Sequence, residues 1–231
     1  VDCPILVTLQ GDDVFLDSLK PPYRSQCINR VKEIVNKVDG FIVQSHFFKQ
    51  YMCDYFSIDP LKVHVTPLGL EVADYTSFLD RDEEKQSRRT QTIGYIARIA
   101  PEKGLHHLVD AFIRLKSMPG TEEAKLHIAG WLSPENQAYA DAQWHRLDAC
   151  GLQDAYQYDG AVDREAKLEF FRNIDLLSVP TVFQEPKGLY ALEAMAAGVP
   201  VVLPAHGAFP ELLEASGGGV LFAPGDETGL A

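Results

Sequence analysis

The chain has 231 residues, of which 46% are hydrophobic, so it can bury one large core or two modest ones and is not a disordered chain. Its formal charge of −12 argues against a nucleic-acid partner and against a broad basic membrane-facing surface. Four cysteines, Cys3, Cys27, Cys53 and Cys150, have neither metal nor disulfide spacing and read as reduced, buried thiols of a cytoplasmic protein.

Predicted elements alternate along the chain. The first block has candidate strands at 5–9, 41–44 and 63–66, with helices near 24–38 and 46–57. A polar run from Leu79 to Arg89 has few apolar residues and reads as a hinge. The second block has strands near 92–97, 125–129, 155–158, 175–179, 199–203 and 219–222. Its helices fall near 104–117, 135–149, 164–173, 188–197 and 209–215. Short apolar strands alternating with helices predict an α/β fold of parallel βαβ units. The expected division is a first domain at 1–78, a linker at 79–91 and a second domain at 92–231. No apolar run reaches the roughly 18 residues of a membrane span, and no signal peptide is recognisable.

Two clusters carry chemistry. In Ala97-Arg98-Ile99-Ala100-Pro101-Glu102-Lys103-Gly104, a strand ends near Arg98 and a helix begins near Gly104. Arg98 supplies a planar fork and Lys103 a mobile point charge, a pair that can neutralise a diphosphate. Taken alone, the string also suits an ordinary solvated loop. In the second cluster, Glu185 and Glu193 flank Gly188, which opens a helix that runs on to Gly198. A helix N-terminus presents unpaired N–H groups and a partial positive charge to a phosphate. A carboxylate one turn inside accepts from sugar hydroxyls. The bland alternative is a buried helix with two chance glutamates.

Together these strings resemble the group-1 family of retaining GT-B glycosyltransferases, to which bacterial glycogen synthases and sucrose synthases are related. The family pattern is Gly-Arg-x-x-x-x-Lys-Gly, followed downstream by Glu-x-Phe-Gly-x-x-x-x-Glu-Ala-x-Ala-x-Gly. Ser45-His46 and the stretch from Val63 to Gly69 resemble the end of the family's first domain. This chain departs from the pattern at Ala97 for Gly, Lys187 for Phe and Leu68 for Asn. Gln10, in the loop Leu9-Gln10-Gly11-Asp12-Asp13, stands where many members place a His or Arg near the transferred sugar. Gln10 can hydrogen-bond but cannot carry charge or relay a proton.

The resemblance implies two Rossmann-like, doubly wound parallel-sheet domains, the first truncated and the second lacking its last helices. It implies retaining, metal-independent transfer of a sugar from a nucleotide-sugar donor to an acceptor hydroxyl of a glycan, lipid or small molecule, with no cofactor. Arg98 and Lys103 are expected at the diphosphate, with Gly188 and Leu189 offering backbone N–H groups. Glu193 is expected at the ribose, Glu185 facing the transferred sugar and helping to orient it, and Lys187 near the sugar or phosphate. Gly130 is expected among the donor-binding residues, Ala161 and Val162 at the base, and Gln10, Gly11 and Asp12 on the sugar and acceptor side. Glu185, Arg98 and Lys103 are the residues expected to drive catalysis. The resemblance leaves room for peripheral membrane contact through the absent N-terminal half. Two alternatives stay open: a nucleotide-sugar epimerase on the same fold, and a non-catalytic nucleotide-sugar-binding module.

Other residues read more plainly. Asp80-Arg81-Asp82 spells the two-aspartate string of metal-dependent transferases but lies in the charged run, and reads as a solvated stretch. His106 and His107 are adjacent on a helix and cannot both face one site, so they read as structural. His64, His127 and His145 show no ligand spacing. Ser216-Gly217-Gly218-Gly219 runs into a strand and reads as a turn. Trp131 sits at a strand's carboxyl end, where it could wall a base pocket or simply pack.

Overall fold

A computed structural model describes residues 3–11, 13–78 and 91–231. Asp12, the Asp80 and Asp82 string, and all of the expected linker except Gln91 lie outside the described residues. Contacts divide the chain into two units, Val1–Gly69 with Gln184–Gly188, and Leu70–Phe183 with Leu189–Ala231. The charge run suggests a boundary at 78. The division falls at 69/70 because Leu70 and Tyr75 pack into the second unit's core.

The first unit holds three parallel strands in the order β1 (Leu6–Thr8), β2 (Gly40–Val43), β3 (Val63–Val65). Helices α1 (Asp13–Asp17), α2 (Tyr23–Val35) and α3 (His46–Phe56) accompany them. The start of α3 is fixed by Ser45, whose hydroxyl accepts from Phe48 N at 3.1 Å. Its buried side carries Phe48, Met52, Cys53 and Phe56, spaced as one face of a helix. These pack with Phe41, Val43 and Val63 into a single core.

The second unit is a six-stranded, all-parallel sheet: β4 (Thr92–Ile96), β5 (Lys125–Ala129), β6 (Tyr156–Tyr158), β7 (Leu176–Ser178), β8 (Val201–Pro204) and β9 (Gly219–Phe222). The strand order is β6-β5-β4-β7-β8-β9. The helices between them are α4 (Leu105–Leu115), α5 (Gln137–Ala149), α6 (Arg164–Asn173), α7 (Leu189–Ala196) and α8 (Phe209–Ser216), and α9 (Glu227–Leu230) follows β9. Strands buried on both faces need helices on both faces, and two cores result. One core packs Leu105, Leu108, Val109 and Phe112 of α4 against Tyr95, Leu126 and Ile128. The other packs Phe170 and Phe171 of α6, Ala191 and Ala194 of α7 and Phe209 of α8 against Leu177, Val201 and Leu203. Full burial of each such Leu or Phe contributes about 1.5–3 kcal/mol.

Two expectations change in detail. Of the four cysteines only Cys53 is buried; Cys3 and Cys150 are exposed and Cys27 is half-buried, all as free thiols. Cys150 closes α5 at its solvent end, and Cys3 precedes β1, so neither meets a core. The short α1, α9 and several 3-10 turns, at Pro60–Lys62, Val72–Phe78, Pro101–Lys103 and Pro134–Asn136, add to the expected elements. Ser216 to Gly219 form a turn as expected: Gly217 ends α8 in the left-handed conformation and β9 begins at Gly219. Among the described residues no helix is long and apolar enough to cross a membrane.

Candidate active site

β4 and β7 lie side by side, but their successors go to opposite edges of the sheet. Open parallel sheets bind ligands outside the carboxyl ends of strands at such a point. Here the chain leaves β4 through Arg98, makes the 3-10 turn Pro101–Lys103 and enters α4. The expected pair of cations therefore occupies the loop at the reversal of strand order.

Backbone contacts hold that loop. The ring of Tyr95 is fully buried, and its hydroxyl lies 3.3 Å from the carbonyl oxygens of both Arg98 and Lys103. It can donate to only one at a time, and it spans the two ends of the turn. The carbonyl of Glu102 accepts from Thr181 Oγ1 at 2.8 Å and from Val182 N at 3.0 Å, which ties the turn to the loop after β7. Gly104 has φ +72° and closes against Pro180. His206 Nε2 donates to the Thr181 carbonyl at 2.9 Å and so braces the same loop from the end of β8.

The cations differ in surroundings. Arg98 pairs with Glu102 at 3.1 Å, and both side chains are substantially exposed. Lys103 Nζ lies 5.5 Å from the centre of the Phe183 ring, within cation–π reach.

Glu193 lies inside α7 and is 8% exposed. Lys167 Nζ of α6 donates to its Oε1 at 2.5 Å. Tyr75 is buried nearby, and burial first, then the Glu193 and Asp74 carboxylates, push its hydroxyl up to about 12. It therefore stays a neutral donor at ordinary pH.

Gly130 and the expected base-side residues gather at the ends of β5 and β6. Gly130 N donates to the Gly160 carbonyl at 2.8 Å, and the Tyr158 hydroxyl donates to the Gly130 carbonyl at 2.9 Å. Gly130 has φ +145°, and a Cβ there would lie 1.7 Å from the Ala97 carbonyl oxygen. Ala161 is exposed and Val162 half-buried against the core. Trp131 is 55% exposed, so it does not serve as core packing. His106 contacts the Tyr139 hydroxyl through Nδ1 at 2.8 Å, a structural role.

Glu185, Lys187 and Gly188 group with the first unit, whereas Leu189 and Glu193 belong to the second. The sequence presents them as one continuous motif; the fold divides it at 188/189. Within the first unit, Ser45 Oγ donates to the Pro186 carbonyl at 2.8 Å, and Lys187 Nζ donates to Gln10 Oε1 at 2.7 Å. Gly11, at φ +98°, lies against the Pro186 ring. Two of the departures from the family pattern, Gln10 and Lys187, thus touch each other. Glu185 is buried, 7% exposed. Among the described residues no group of three or more His, Cys, Asp or Glu side chains could hold a metal ion.

Residues 78–231 match the family described as glycosyl transferases group 1, more than half of the chain. The chain belongs to this family. It is 29% identical over 208 residues to the D-inositol 3-phosphate glycosyltransferase of Stackebrandtia nassauensis, covering 87% of this chain and 46% of that protein. An uncharacterized glycosyltransferase of Methanocaldococcus jannaschii is 27% identical over 197 residues, covering 82% and 48%. The chain spans about half the length of these curated relatives. Its fold is similar to that of Anabaena HepE in complex with UDP and glucose, with a TM-score of 0.78 at 22% identity over 99% of this chain and 60% of that one. Sucrose-phosphate synthase from Thermosynechococcus elongatus gives 0.77 at 22% identity, over 97% and 56%. The fold is the parallel-sheet α/β fold of GT-B glycosyltransferases. Sequence reading missed Tyr95 and Lys167, which touch the expected site residues Arg98, Lys103 and Glu193, and Thr181, which holds the carbonyl of Glu102 between them.

Proposed function

We propose that this group-1 chain binds a nucleotide-sugar donor and transfers its sugar to an acceptor hydroxyl, with retention of anomeric configuration and without a metal ion. The observation that carries the reading is the placement of Arg98 and Lys103 in the loop where the strand order reverses, braced by Tyr95, Thr181 and Gly104.

The difficulty in such a transfer is charge accumulating on the departing diphosphate. Fixed cations and backbone donors stabilise that charge where it develops and need no reorganisation. In this reading Arg98 forks onto the diphosphate by exchanging Glu102, an exposed partner of little energetic consequence. Lys103 adds a second charge. The N–H groups of Gly188 and Leu189 face phosphate at the start of α7, and the left-handed φ of +64° at Gly188 is one that glycine adopts without strain. Glu193 accepts from the ribose hydroxyls. Gly130, Ala161 and Val162 receive the base. Glu185 and Lys187, with Gln10 and Gly11, are assigned to the transferred sugar. No side chain is assigned as general base; the leaving phosphate takes the acceptor's proton. UDP is the first nucleotide to test, since HepE of similar fold holds it. Free thiols at all four cysteines support a cytoplasmic location.

The test is incubation with UDP-, GDP- and ADP-sugars, with NMR of the product anomer. The reading expects release of one nucleoside diphosphate and a retained anomeric centre. An inverted product would overturn retention, and free 2-epimerised sugar would favour the epimerase.

A further inference from the structure

We propose that Lys167 is a positioning residue that fixes Glu193 for recognition of the ribose, and through it the choice of ribonucleotide over deoxyribonucleotide donors. The inference rests on the donor-site reading above.

Glu193 is nearly buried, and a buried carboxylate must be compensated. Hydroxyls of a sugar are neutral and cannot do so fully. Lys167 Nζ meets Oε1 at 2.5 Å. One oxygen is thus anchored, and the rotation of the carboxylate is stopped. A freely turning carboxylate would bind a ribose hydroxyl with less orientation and less discrimination.

The anchor is itself rigid. Lys167 projects from α6, whose N-terminus is capped by Asp163 accepting from Ala166 N at 2.9 Å. Phe170 and Phe171 of the same helix are buried in the core that also holds Ala191 and Ala194 of α7. Arg164, one turn before Lys167, pairs with Asp74 beside Tyr75. The helix presenting Lys167 and the helix presenting Glu193 are therefore both held in the same core independently of the ion pair. That is the arrangement expected of a support for a binding group. An ion pair needed for the fold would instead be the main link between its elements.

The test is calorimetry of the chain with three matched pairs: UDP and 2′-deoxy-UDP, GDP and 2′-deoxy-GDP, ADP and 2′-deoxy-ADP. The unaltered chain should prefer the ribonucleotide of its own base by about tenfold or more, the worth of a hydrogen bond to a charged acceptor. Lys167→Met should shrink that preference to about twofold or less, while Lys167→Arg should keep most of it. A structural role would weaken both members of a pair equally and leave their ratio alone. Glu193→Gln should also lose the preference, and adding Lys167→Met to it should change nothing more. If Lys167→Met does not fold by thermal melting, Lys167→Gln serves in its place. A preference retained in folded Lys167→Met or Lys167→Gln would overturn this inference alone. No ribonucleotide preference in the unaltered chain would overturn the assignment of Glu193 to ribose, and this inference with it.

Discussion

A Cβ at Gly104 would lie 1.8 Å from the carbonyl oxygen of Pro180. The cation-bearing turn after β4 is therefore pressed against the loop after β7 so closely that no side chain fits, and the φ of +72° is one that other residues adopt only with strain. Gly151 has the same φ of +72° but open space around it. Gly104→Ala should cost about 2 kcal/mol or more, strain and overlap together, whereas Gly151→Ala should cost about 1 kcal/mol of strain alone. Thermal melting of the two variants measures the difference, at about 2–4 °C per kcal/mol for a chain of this size. Equal losses would mean that the turn does not sit against Pro180 as described.

Glu193→Ala and Glu185→Ala should differ in kind. A ribose contact made equally in ground and transition states raises KM and leaves kcat alone, the pattern expected for Glu193. Glu185, assigned to the transferred sugar, should mainly lower kcat. Steady-state kinetics on both variants checks this, and the opposite pattern would exchange the two roles.

The strands and helices were legible because each obeys its own period. The buried apolar run at Val201–Pro204 and the i, i+3, i+4, i+7 spacing of Leu105, Leu108, Val109 and Phe112 leave little choice. The cation loop was legible for the same reason, since Arg98 and Lys103 fall between a strand end and a helix start. What braces it was not. Tyr95 reads as one more apolar residue of β4, and only folding brings its hydroxyl to the ends of the turn. Lys167 reads as a solvent-facing helix lysine, because its partner lies 26 residues on in another helix. The contact of Lys187 with Gln10 spans 177 residues, beyond any local pattern. The grouping of Gln184–Gly188 with the first unit is equally a long-range fact, carried in part by the buried Ser45–Pro186 hydrogen bond.

Turnover should survive chelation. The proposed diphosphate site already has two cations and a helix N-terminus, so a divalent ion has no charge left to neutralise. Activity measured before and after EDTA should agree. Loss with EDTA and recovery with magnesium or manganese would refute this account of charge neutralisation.

Stability should fall at alkaline pH. Burial pushes the hydroxyls of Tyr55, Tyr75 and Tyr139 up to about 12; at Tyr139 the Glu102 carboxylate adds to this against the hydrogen bond from the His106 N–H. An unfolded tyrosine ionises near 10. The native state therefore holds more protons between about 10 and 12. The stability this contributes is complete below about pH 10 and is lost as pH rises through about 12. Tyr139→Phe should lose about 1 kcal/mol at neutral pH, from its hydrogen bonds to His106, and show a shallower alkaline decline. Denaturant unfolding at a series of alkaline pH values checks both; a variant declining as steeply as the unaltered chain would contradict the burial of this hydroxyl.

Titration calorimetry of UDP, GDP and ADP into the chain, beside its Arg98→Ala and Lys103→Ala variants, tests the donor site most directly. The account predicts binding of at least one nucleoside diphosphate. Each variant should weaken it about 10- to 150-fold, the loss of about 1.5–3 kcal/mol from a charged hydrogen bond, while melting almost as the unaltered chain does. Undiminished binding by folded Arg98→Ala and Lys103→Ala variants, or no binding of any of the three by the unaltered chain, would contradict it.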